Sequence, residues 1–204
     1  MSNHPEFFDQ QPAIVMRDPL AEILGAAEHG VMTYHYADAV RLAGHSCPTV
    51  AGAWLMARRG LSALYPEEIP ERGGIRVELR AAQHDGVSGV VGSVLGLITG
   101  AAGEGGFKGL GGRYDRRGLL RYGVVLPSEV RMTRLDTGMA VLLDYYPDRV
   151  AGPPELAALL ARIVGGAAGP EERSTFARLW QERVRRILNE EETRGGLVAL
   201  RPVA

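Results

Sequence analysis

The sequence predicts an α+β fold in which a mixed or antiparallel sheet packs against helices and a C-terminal helical hairpin follows. In IRVELRAA, Ile75, Val77, Leu79 and Ala81 alternate with Arg76, Glu78 and Arg80, the two-residue period of a half-buried strand. VRMTRL and MAVLLDYY flank Asp136-Thr137-Gly138, the pattern of a hairpin. On either side of this region the period changes to that of helices, with Val50, Ala53, Trp54 and Ala57 before it and Phe176, Trp180, Val184 and Ile187 after it.

Taken in order, residues 1–18 read as an irregular arm. Leu20, Ile23 and Leu24 then fall at helical spacing, with Gly25 or Gly30 ending the turn. A short helix is predicted over Tyr36 to Leu42, stopped by Gly44. Pro48 opens the next, because its fixed φ and missing N–H suit a first helical position. Gly60 and Pro66 are expected to bound it. After the IRVELRAA strand, Gly89, Ser93, Gly96 and Gly100 share one side of a segment otherwise filled by Val90, Val91, Val94, Leu95 and Ile98. That is the pattern of a buried helix with a small face, although an apolar run of this kind also suits a buried strand. Residues 103–118 form a glycine-rich connection, and LRYGVVL reads as a strand. Beyond Pro147 the composition shifts to two proline-opened helices, PELAALLARIV and the run from Pro170. The expected division is an α+β domain over 1–150 and a helical extension over 151–204, packed on it or on a partner subunit.

Bulk composition narrows the function classes. With 23 basic and 24 acidic residues the net charge is -1, so no basic field points to nucleic acid or an anionic membrane. One cysteine forms no internal disulfide. The start shows no basic region followed by an apolar segment, and the longest apolar run falls short of the roughly 20 residues of a spanning helix. A cytoplasmic protein without a membrane partner is the expectation.

The lone cysteine stands in GHSCP, two positions after His45 and directly before Pro48. Both side chains are metal-competent, and a turning loop lets an i, i+2 pair reach one ion. Unpaired N–H groups at the helix start favour a thiolate, the form that binds zinc or attacks an electrophile. Spacing alone leaves three readings open: a small buried hydrophobe, a metal ligand and a nucleophile. Structural zinc needs four ligands and catalytic zinc three plus an open position. The candidate metal set is therefore His35, His45 and Cys47, with His84 in reserve beside Asp85. Cys47 is also the candidate catalytic residue. The loop GEGGFKGLGGR lacks P-loop and dinucleotide-turn spacing. It reads as a connector or a lid that would bring Phe107 and Lys108 to a bound substrate.

GHSCPTVAGAWLMARRGLSAL resembles the G-H-x-C-P-G segment of the FmdE-like family of formylmethanofuran dehydrogenase subunits. The GGFKGLGG loop and DRRGLLRYG extend the likeness over roughly residues 30–150. The resemblance implies an α+β domain that tends to form homodimers and to carry zinc or another divalent transition metal near the His and Cys. Thr49 replaces a family glycine, Gly86 and Val87 stand where a second cysteine is frequent, and no cysteine-rich zinc ribbon follows. The expected function is a metal-binding protein with a small-molecule pocket, either an enzyme, with oxidoreductase chemistry among its options, or a sensor. Two alternatives remain: haem with Cys47 thiolate or a histidine as axial ligand, and a metal-free thiol enzyme with His45 or His35 as base.

Overall fold

The computed structural model describes residues 3–194 and 196–203. It is an α+β architecture with two sheets. A small antiparallel pair joins β1 (Ile14–Arg17) to β2 (Val31–Tyr34), with α1 (Pro19–Ile23) between them. The main sheet has strand order β4-β3-β5-β6-β7, built from β3 (Ile75–Leu79), β4 (Leu120–Arg121), β5 (Val130–Arg134), β6 (Ala140–Tyr145) and β7 (Val198–Val203). Only β3 and β4 run parallel, so the sheet is mixed.

The centre of the molecule is α3 (Pro48–Leu64), whose eleven buried residues include Trp54, Leu55 and Met56. It is apolar around its circumference because it lies between the sheet, α4 (Ser88–Thr99) and the long C-terminal helix α6 (Pro170–Arg194). Gly52 and Gly60, about two turns apart, form the face laid on the sheet. A Cβ at Gly52 would sit 2.2 Å from the Tyr145 ring, and one at Gly60 would sit 2.5 Å from Met132 Sδ. Gly60 therefore lets the helix approach the sheet and does not end it; α3 continues to Leu64.

Helix α2 (Tyr36–Ala43) ends where expected, with Gly44 at φ 75 in the left-handed region. Helix α5 (Glu155–Val164) packs on α6 as the predicted hairpin. Three expectations need correction. The arm over 1–18 contains β1, held by its register with β2 and by Arg17 N–H donating to the Pro70 carbonyl. LRYGVVL keeps only two strand residues, because the chain turns at Gly123 (φ 68) and leaves Val125 99% exposed. The C-terminal region is more than helices: β7 pairs with β6 over six residues and completes the main sheet. Among the described residues, no helix is long and apolar enough to cross a membrane.

Candidate functional site

Chain direction fixes where the GHSCP loop sits. Gly52 meets Tyr145 and Gly60 meets Leu143 and Met132, so α3 starts at the Tyr145 end of β6. Antiparallel pairing carries that end to Val130 and from there to Leu79. Residues 80–87 leave β3 at the same place and lead into α4. The N-termini of α3 and α4 therefore lie at one end of the sheet, together with His84, Asp85 and Glu129.

Cys47 is the N-cap of α3, with extended backbone (φ -149, ψ 170). Its Sγ accepts the Val50 N–H at 3.5 Å, and the residue is only 8% exposed. This is the local geometry expected when a cap side chain precedes a proline at the first helical position. The loop is pinned from three directions. The Ser46 hydroxyl and the Tyr36 phenol share a hydrogen bond of 2.9 Å. The Ser46 carbonyl accepts from Trp180 Nε1 at 2.9 Å and from Gln181 Nε2 at 3.2 Å. Tyr145 donates its hydroxyl to the Pro48 carbonyl at 2.9 Å. Burial pushes the Tyr36 phenol well above its ordinary value, its bond to Ser46 offsets part of that rise, and Cys47 adds a further upward push. Tyr36 is thus a neutral fixture next to the thiol.

His45 is exposed, and its Nδ1 lies 2.9 Å from the Ala43 carbonyl. A carbonyl only accepts, so Nδ1 carries the hydrogen, and in the neutral imidazole it is Nε2 that keeps the lone pair. A metal ligand needs that tautomer, and a backbone carbonyl on the other ring nitrogen is the usual way to set it.

The remaining candidates lie elsewhere. His35 is the N-cap of α2, with its N–H donating to Asp38 at 2.8 Å and its side chain 52% exposed. His84 is at the correct end of the sheet, but its side chain is 87% exposed and its neighbour is Asp85, at 3.5 Å. Among the described residues, no three His, Cys, Asp or Glu side chains converge as a metal cluster. Of the four candidates, His45 and Cys47 alone share the GHSCP loop.

Phe107 and Lys108 are exposed on a loop anchored away from the thiol. The Phe107 carbonyl accepts the Arg116 N–H, and the Arg116 guanidinium packs against Gly73 and Gly100, at the C-terminal end of α4. A 12-residue helix spans about 18 Å, which separates this loop from the Cys47 end.

Of the cavities that border α3 and α4 among the described residues, two bear on the site. The larger, about 680 Å³, is a groove along α3 lined by Leu55, Leu61, Tyr65, Pro70 and Leu200, with Arg58 and Arg59. It opens toward the end of α3 opposite Cys47. The smaller, about 360 Å³, lies at the Cys47 end between β3, β5 and the start of α4. Of its charged residues Arg80, Asp85 and Glu129, the first and last have no sequence signature, and neither do the Trp180 and Gln181 donations above. Each is an ordinary polar residue until the fold brings it in.

No protein-family model matches this chain, and no curated protein matches its sequence.

Proposed function

We propose that the chain is a metal-binding protein in which Cys47 Sγ and His45 Nε2 hold a divalent transition metal, zinc first among the candidates. The observation that carries this reading is the His45 ring. Its Nδ1–H is committed to the Ala43 carbonyl, so a free Nε2 lone pair is presented two residues from a thiol capped by a helix N-terminus. The GHSCP resemblance to the FmdE-like family supports the same site. Two donors do not complete a zinc shell, so the remaining ligands come from a second copy of the chain or from water. A bound ion of this kind polarises a small molecule or activates water, which suits either an enzyme or a sensor.

The test is elemental analysis with an absorption spectrum and light scattering, on the wild type beside Cys47→Ala and His45→Ala. Near-stoichiometric metal that both variants lose is the expected result. Metal-free wild type, or metal retained by Cys47→Ala, overturns the reading. A Soret band would instead assign the site to haem. The Val50 N–H on Sγ also favours a nucleophilic thiol, a second reading marked by alkylation of Cys47 that chelator leaves unchanged.

A further inference from the structure

The 360 Å³ cavity at the start of α4 has a composition that the metal reading does not use. Its walls include Leu79, Val91 and Val130, and its polar groups are Arg80, Asp85 and Glu129. Ligand pockets run from about 300 to 1,000 Å³, so this one suits a small molecule. Charges of both signs narrow the class. Asp85 and Glu129 oppose a simple anion, and Arg80 opposes a simple cation. A molecule bearing both charges on a short apolar body satisfies all three.

We propose that this cavity binds a small zwitterion of the α-amino-acid class, with its ammonium toward Glu129, its carboxylate toward Arg80 and a branched aliphatic side chain against Leu79, Val91 and Val130. Glu129 is fixed in place for such a contact, since one carboxylate oxygen accepts the Tyr145 N–H at 3.3 Å, which leaves the other oxygen for a ligand. Burial raises its carboxyl above the ordinary range, and Asp144 adds to the rise, while the bond from Tyr145 and the charge of Arg80 offset only part of it. Such a carboxylate gains from a cation placed beside it. At the opposite charge, Ser88 opens α4 on the cavity wall, and the positive end of the helix dipole complements a carboxylate. The site is separate from the metal reading, because Cys47 does not line it.

The experiment is a calorimetric titration of the full chain with L-leucine as probe, beside N-acetyl-leucine and leucinamide, which each lack one charge. Wild type, Glu129→Gln and Cys47→Ala are compared, with a thermal melt to confirm that each is folded. Saturable leucine binding, about tenfold weaker in Glu129→Gln (about 1.4 kcal/mol) and unchanged in Cys47→Ala, is the expected result. Both single-charge analogues should bind at least about tenfold more weakly than leucine. No saturable binding of leucine, equal binding of the analogues, or full affinity in Glu129→Gln overturns the proposal. The Cys47→Ala arm keeps its fate distinct from that of the metal site.

Discussion

At Gly52 a single hydrogen stands where any other residue would place carbon within 2.6 Å of three atoms of the Tyr145 ring. Gly52→Ala therefore forces α3 off the sheet or turns the ring, and with it the hydroxyl that meets the Pro48 carbonyl. Overpacking of this kind costs about 1–3 kcal/mol, which a urea midpoint reads directly. Gly60→Ala should cost less, because its clash is with the flexible Met132 side chain. At this scale the sequence was partly legible. Cys47, Pro48 and Gly44 announce their roles by local chemistry: a cap, a first-turn proline and a left-handed stop. The partners of Ser46 do not, since Trp180 lies 134 positions away and its indole N–H has no local reason to choose that carbonyl. His45 was legible as a donor, but the carbonyl that sets its tautomer was not.

Among the elements, the small β1–β2 pair, the body and the loop before β4 meet at one buried carboxylate. Asp18 is 4% exposed, caps α1 through the N–H groups of Leu20 and Ala21, and binds Arg72 at 2.9 Å and Arg116 at 2.7 Å. Burial alone would raise its carboxyl, but the Arg72 hydrogen bond and the Arg116 charge outweigh it and hold it below the ordinary value. A lowered carboxylate contributes stability that is present above the unfolded value of 3.8 and lost as pH falls through the folded one. Asp18→Asn should thus cost about 3–5 kcal/mol at neutral pH, by taking the carboxylate from the buried Arg116 guanidinium and leaving Arg72 to the Leu97 carbonyl. Its gap from the wild type should narrow below pH 3.8, as urea midpoints across pH will show. Elements with strong periods, α2, α3, β3 and the β5–β6 hairpin, were legible. β1, β2 and β7 were not, because four-residue strands give too few alternations to count and β7 carries Pro202 within its pairing.

For the whole molecule, α6 ties the C-terminal third of the chain to the GHSCP loop. Trp180→Phe keeps most of the packing against Phe176 but deletes the donor to Ser46. The melting temperature should change little, since one such bond contributes about 1 kcal/mol. Labelling of Cys47 by a maleimide should become several-fold faster, because the loop is then held by Gln181 and Tyr36 alone on that side. Equal labelling rates in the two proteins would show that α6 does not govern access to the thiol. The α+β class was legible at this scale, whereas the closure of the main sheet by β7 depended on a long-range pairing.

That closure also orders events during synthesis. β6 and α3 leave the ribosome well before α6 and β7, so the nascent chain has an open β6 edge and an unclamped Ser46 carbonyl. Until residues 170–203 arrive, the GHSCP loop lacks its Trp180 and Gln181 donors and the main sheet lacks its last strand, so this end of the molecule is the last to be fixed.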